Sequence, residues 1–259
     1  MSVLDKIIEN KKKELLDLKS DIDTVSLKNT ALNKKSGINF LDNLKNSKNI
    51  PVIAEIKKKS PSKGSLNEYI DIKKLAGIYE KSNASAISVL TDSKYFGGNI
   101  NDIIDVKNTV KLPVLRKDFI IDSLLIYEAK AAGADAVLLI AEALKDDNLE
   151  ELFFLTKALN MTPLVEIHDK AQIDRVLSLK PDLIGINNRN LVTLKVDINH
   201  CIELRKYIPD NIFVVGESGI ETRDDITKML NNGINAFLIG TTLMKSGDPG
   251  MTLTNFTSL

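Results

Sequence analysis

PVIAEIKKKSPSKG, residues 51–64, reads as a buried strand that runs straight into a charged, proline-broken loop. Pro51 to Ile56 is apolar except for Glu55, and the side chains of a strand alternate between two faces. Ile53, Glu55 and Lys57 therefore share one face, while Ala54 and Ile56 take the other. A carboxylate and an amine at the end of an apolar strand are costly to bury unless a polar site receives them. A solvated strand end would explain the same residues, so the rest of the chain has to decide.

The same pattern returns along the chain: a short apolar run, a polar loop, then a longer helical segment. The runs are PVIAEI (51–56), ASAISVL (84–90), LPVLR (112–116), DAVLLI (135–140), TPLVEI (162–167), DLIGI (182–186), NIFVVG (211–216) and NAFLIG (235–240). Between them, SLLIYEAKAAG, NLEELFFLTKALN, KAQIDRVLSLK and TRDDITKMLNNG carry apolar residues at helical spacing. Gly133 and Gly233 stand where a helix C-cap glycine is expected. Strands alternating with helices imply parallel pairing, because a parallel neighbour needs a crossover. Eight such units over about 190 residues predict an α/β fold, a closed (β/α)8 TIM barrel. An open doubly wound sheet would place its ligand at one switch point. Here polar residues follow nearly every run, which favours a ring of loops around one mouth.

Ahead of the barrel, Val3, Leu4, Ile7, Ile8, Leu15, Leu16 and Leu18 predict an amphipathic helix over residues 2–19. A polar stretch (20–37) follows, and Phe40, Leu41 and Leu44 suggest a second short helix. Residues 1–48 are read as an N-terminal helical extension packed on a barrel of residues 49–259, in one domain.

With 259 residues, 35 basic against 35 acidic side chains and one cysteine, the chain can bury a large core and carries no charge excess for nucleic acid or an anionic membrane. Cys201 allows no internal disulfide and fits a reducing, cytoplasmic setting. The N-terminus interleaves acids with bases and does not read as a secretory signal, and no apolar stretch reaches the ~18 residues of a membrane span. A small-molecule partner is expected, with the chain acting as a monomer or weak homo-oligomer.

In a barrel the chemistry sits where the strands end. Those ends read Glu55, Lys57 and Ser60; Thr91 and Asp92, with YFGG (95–98) behind them; Arg116, Lys117, Asp118 and Phe119; Glu142; Glu166 and His168; Asn187, Asn188 and Arg189; Glu217, Ser218 and Gly219; and Gly240, Thr241 and Thr242. Several carboxylates and two lysines in one mouth perturb one another's pKa values, which suits acid and base work. ESGI (217–220) and IGTT (239–242) put small residues where backbone N–H groups can approach an anion, a place where barrels often bind phosphate. Nothing around His168 or His200 has metal-ligand spacing. His168 reads as a loop residue near the mouth, His200 as surface, and Cys201 as a packing residue.

AEIKKKSPSKG (54–64), LRKDFI (115–120), LVEIH (164–168), GINNRNL (185–191), GESGI (216–220) and IGTTLM (239–244) together resemble the indole-3-glycerol phosphate synthases of tryptophan biosynthesis. The resemblance covers essentially the whole chain, including the helical extension. It implies a phosphosugar-anthranilate substrate, 1-(2-carboxyphenylamino)-1-deoxyribulose 5-phosphate, closed to an indole ring with loss of carbon dioxide and water, and no cofactor or metal. Carried over by motif, Lys117 is expected as the acid that protonates the ketone oxygen. Lys57 is expected to bind the substrate carboxylate and to assist dehydration. Glu55 and Glu166 would move protons, with Asn187 and Glu217 orienting them or the sugar hydroxyls. Phe119 and Leu191 would pack the aromatic end and Arg189 would meet the carboxylate. Ser60, Ser218, Gly219, Gly240 and Thr241 would hold the phosphate end. The chain departs from the family in carrying Thr241 and Thr242 where Glu-Ser or Ser-Ser is common.

Overall fold

Each of the eight apolar runs becomes a strand, and both faces of every strand are covered. In a computed structural model describing residues 2–60, 64–65, 71–190 and 193–259, the strands are β1 (Val52–Ile56), β2 (Ala86–Leu90), β3 (Val114–Lys117), β4 (Ala136–Ile140), β5 (Thr162–Ile167), β6 (Leu183–Asn187), β7 (Phe213–Glu217) and β8 (Ala236–Ile239). All pair in parallel with their neighbours in sequence, and β1 pairs with β8 to close the barrel. One set of alternating side chains (Ile53, Ala86, Leu115, Ala136, Leu138, Leu164, Leu183, Val215, Ala236, Leu238) fills the interior. The other set, including Val52, Ala54, Ile87, Val89, Val137, Leu139 and Val165, packs beneath the helices. Burial on both faces explains why the runs are nearly unbroken in apolarity rather than alternating.

The extension holds three helices, α1 (Val3–Asp21), α2 (Thr24–Asn33) and α3 (Phe40–Lys45). Phe40, Leu41 and Leu44 of α3 join the interior core, and the Asn43 amide donates to the Ser85 carbonyl just ahead of β2 at 2.6 Å. The short helix therefore plugs the end of the barrel where the strands begin. α1 reaches the opposite end, where Val3, Leu4 and Ile7 line the cavity described below. α2 lies in the stretch that the sequence predicts to be merely polar. Asp23 nucleates it by accepting from the N–H groups of Val25 and Ser26. Only Ala31 of this helix is buried, while Val25 and Leu32 stay exposed, so no apolar stripe marks it. Among the described residues, no helix is long and apolar enough to cross a membrane.

Candidate active site

In a barrel of this kind the four side chains of an interior layer come from alternate strands. The odd-numbered strands put Ile53, Leu115, Leu164 and Val215 into the core. Two residues further on, the same faces carry Glu55, Lys117, Glu166 and Glu217, all of which line one cavity. An apolar layer is thus capped by an ionisable one.

Lys117 is the hub of that layer. Its Nζ lies 3.0 Å from Glu166 Oε2 and 2.9 Å from Glu217 Oε2. The other Glu166 oxygen accepts from Asn187 Nδ2 at 3.0 Å, and Asn187 Oδ1 in turn accepts from the Arg189 N–H at 2.9 Å. Across the mouth, Lys57 Nζ contacts Glu55 Oε1 and donates to Thr241 Oγ1 at 3.3 Å. Glu217 Oε1 is buried and has no hydrogen-bond partner. It lies over Gly185, where a Cβ would stand only 2.2 Å away. Glu55 Oε1 lies over Gly240 in the same way, 2.1 Å from the place of a Cβ.

Burial and charge set different protonation states within this ring. Desolvation works to lower the Lys117 pKa, but the carboxylates of Glu166, Glu217 and Glu55 outweigh it, so the group is held above its ordinary value as an ammonium. Desolvation would raise Glu166, yet the Lys117 charge and the Asn187 hydrogen bond hold it below the usual carboxylate range. Glu217 goes the other way. Burial pushes it up, Lys117 opposes, and the Glu166 charge adds to the rise, which reaches about 8.

That difference predicts a pH dependence of stability. Because the folded-state pKa of Glu217 lies above its ordinary 4.5, its contribution is fully present below pH 4.5 and is lost as pH rises towards about 8. Glu217→Gln, which cannot ionise, should lack this loss. Its melting temperature relative to the parent is expected to climb between pH 5 and pH 8, by an amount worth roughly a few kcal/mol. Parallel melting curves across that range would show that Glu217 is ionised throughout.

The cavity above the ring measures about 700 Å³ and has two halves. Val3, Leu4 and Ile7 of α1 face Phe96, Phe119 and Ile140 in an apolar half, with the two phenyl rings 6.3 Å apart at 34°. Ser218, Gly219, Gly240, Thr241 and Thr242 line the other, with Val196 and Ile198 against Gly219. Ser218 and Gly219 both have positive φ, +65° and +80°, and Thr242 ties the two loops together by donating to the Ile220 carbonyl at 2.6 Å.

Of the residues expected from sequence to form a site, Glu55, Lys57, Lys117, Phe119, Glu166, Asn187, Arg189, Glu217, Ser218, Gly219, Gly240 and Thr241 all line this cavity. Leu191 and the side chain of Ser60 lie outside the described residues. Other strand-end residues turn elsewhere. Glu142 accepts from the N–H groups of His168 and Asp169 and serves to hold that loop. Arg116 and Asp118 pair in a buried cluster beside Lys117, with Asp118 also on the cavity wall. His168 stacks on His200 with centroids 4.3 Å apart, and His200 is half-buried rather than exposed, because its ring reaches the His168 carbonyl. Cys201 is wholly buried, as a packing residue should be.

Sequence reading missed two features. The α1 wall has no local signal, since an amphipathic helix does not announce what it will cover. Gly185 did leave a mark: a glycine inside an apolar strand often signals close approach of another group.

A family model described as indole-3-glycerol phosphate synthase matches residues 4–256. The chain belongs to the indole-3-glycerol phosphate synthase family. A family member from Thermoanaerobacter pseudethanolicus is 46% identical over 243 residues, covering 94% of this chain and 92% of its own. Another from Ruminiclostridium cellulolyticum is 44% identical over 256 residues, 97% of each. Solved structures of an N-acetylmannosamine-6-phosphate 2-epimerase from Clostridium perfringens (TM-score 0.59, 17% identity, 77% of this chain and 89% of that one) and an orotidine 5'-phosphate decarboxylase from Pyrococcus horikoshii (0.60, 10%, 79% and 96%) share the barrel fold. Thr241 and Thr242, where the sequence departs from the resemblance, both line the cavity.

Proposed function

We propose that this chain closes 1-(2-carboxyphenylamino)-1-deoxyribulose 5-phosphate to indole-3-glycerol phosphate, releasing carbon dioxide and water. The observation that carries this reading is the Lys117 ammonium, fixed between Glu166 and Glu217 on the floor of a cavity that joins an apolar wall to the glycine and hydroxyl residues after β7 and β8.

The chemistry asks for such a group. The aromatic carbon bearing the carboxylate must attack the ketone, which breaks aromaticity and drives charge onto the ketone oxygen. Lys117 donates its proton to that oxygen as the carbon–carbon bond forms; the developing alkoxide is basic enough to take it even from an amine whose pKa is raised. Loss of carbon dioxide returns the electron pair to the ring and restores aromaticity. The new hydroxyl then leaves with a proton from Lys57, and a carboxylate removes the proton from the neighbouring methylene to complete the indole. Glu55 contacts Lys57 and Glu166 contacts Lys117, so each acid has a carboxylate beside it.

Binding follows the two halves of the cavity. Phe119 and the α1 side chains receive the aryl ring, Arg189 the carboxylate, and the backbone around Ser218, Gly219, Gly240 and Thr241 the phosphate. Holding both ends folds the flexible sugar chain so that its ketone meets the ring, a positioning effect that can rival the acid–base contribution.

The test uses the product's own signal. The chain has no tryptophan, so indole emission stands clear of the protein. Chelator-treated protein mixed with the substrate is expected to show emission rising with time. Folded protein that binds the compound without any rise would reduce the site to a phosphosugar-binding one.

A further inference from the structure

Lys11 is a buried cation outside the reacting ring. It sits on α1 with 4% of its surface exposed, and its amine meets three carboxylates: Glu14 on its own helix at 2.8 Å, Asp92 at the end of β2 at 3.1 Å, and Asp118 just beyond β3 at 2.9 Å. An ammonium has three protons to donate and no acceptor site, so these three partners saturate it.

The two barrel carboxylates differ in how far they depend on it. Asp118 is held from all sides. Its Oδ1 accepts from the Phe119 N–H at 2.8 Å, and its Oδ2 accepts from Thr91 Oγ1 at 2.6 Å and Arg116 Nη2 at 3.2 Å. Asp92 caps a short helix through Oδ1, at 2.8 Å from the Tyr95 N–H, but its Oδ2 is wholly buried and faces the Lys11 ammonium at 3.1 Å. A buried carboxylate that loses its counter-charge is strongly disfavoured.

The geometry ties this cluster to both halves of the reaction. Asp118 lies between Lys117 and Phe119 in sequence, so whatever fixes its side chain fixes the backbone that aims the ammonium and the phenyl ring. Ile7 and Leu4 lie four and seven residues before Lys11, on the same helix face, and both line the cavity. The remaining side-chain ties between α1 and the β2 loop, such as Lys94 to Asn10 at 2.8 Å and Tyr95 to the Lys6 carbonyl at 3.3 Å, are exposed and compete with water.

We propose that Lys11 is a positioning residue: through Asp92 and Asp118 it locks the α1 wall of the aryl pocket in register with the strand end that carries Lys117. This rests on the reaction proposed above, and one readout is chosen to stand without it.

The experiment compares Lys11→Met, which keeps the length of the side chain without its charge, with Lys11→Arg and the parent, at a temperature where circular dichroism shows all three folded. Lys11→Met should raise KM about tenfold and lower kcat severalfold, with Lys11→Arg recovering most of both. In parallel, amide exchange should quicken in Val3–Asp21 and in residues 117–119 together. If Lys11→Met lowers the melting temperature but leaves KM unchanged, or if α1 exchanges faster while residues 117–119 stay protected, Lys11 is only a stability contact and the proposal fails. A parent protein with no turnover would overturn the reaction and leave the exchange comparison to decide the coupling. Should Lys11→Met not fold, Lys11→Met/Asp92→Asn, which removes the orphaned carboxylate, carries the same two measurements.

Discussion

Lys117→Met is expected to lower kcat by about 10²- to 10⁴-fold, the usual worth of a positioned acid, while product still binds. The reason for the split is spatial. In the proposed reaction the ammonium is the donor to the ketone, whereas the aryl ring and phosphate would be received by Phe119, α1 and the loops after β7 and β8, which also line the cavity. Removing the cation also leaves Glu166 and Glu217 buried side by side without it, so Glu217 should hold its proton more firmly and the pair should carry a single charge. Lys117→Arg sharpens the test. A guanidinium restores the charge but does not release its proton near neutral pH, so KM should approach the parent value while kcat stays low. Single-turnover fluorescence and product titration measure the two terms separately. Turnover near the parent rate in Lys117→Met would take the acid role away from this residue.

Gly185→Ala should be nearly as damaging although it adds one methyl group. That methyl would stand 2.2 Å from Glu217 Oε1 and 3.3 Å from Leu164 Cδ1. Glu217 is almost wholly buried and cannot swing into solvent, so it must shift along the ring and pull away from Lys117. A displacement of about 1 Å at a reacting centre can cost about 10²-fold in rate, and overpacking a tight interior typically costs about 1–3 kcal/mol of stability. The expected pattern is a large fall in kcat, a modest fall in melting temperature and a KM that moves little. Gly185→Ala/Glu217→Asp, which shortens the displaced side chain by one methylene, should recover part of the rate. If the single variant keeps its kcat, or the double variant is additive in its losses, the close approach of Gly185 to Glu217 has no catalytic weight.

The same glycine logic changes how the β8 loop is probed. Gly240 was expected at the phosphate, and it lines the cavity, but its Cβ direction is filled by the Glu55 carboxylate. A substitution there would displace Glu55 as well as any anion, so it cannot report on phosphate binding alone. Parity along β8 did not reveal this, because the clash comes from β1, which joins β8 only when the barrel closes.

The sequence by itself determined the barrel and most of the ring. Eight apolar runs separated by helical segments leave little choice but parallel pairing, and alternation within a strand places Glu55 with Ile53 and Lys117 with Leu115. Those are local rules, legible wherever chain neighbours decide the outcome. Tertiary structure decided what lies across the mouth, which carboxylate keeps a proton, and why Gly185 and Gly240 are bare. α1 could have covered any apolar surface, and where it lies brings Lys11 onto Asp92 and Asp118. Glu166 and Glu217 look alike in sequence, yet Asn187 and Lys117 keep one ionised while burial beside that charge raises the other. Desolvation and Coulomb forces depend on distances between strands that meet only when the barrel closes, so no local pattern could have carried them.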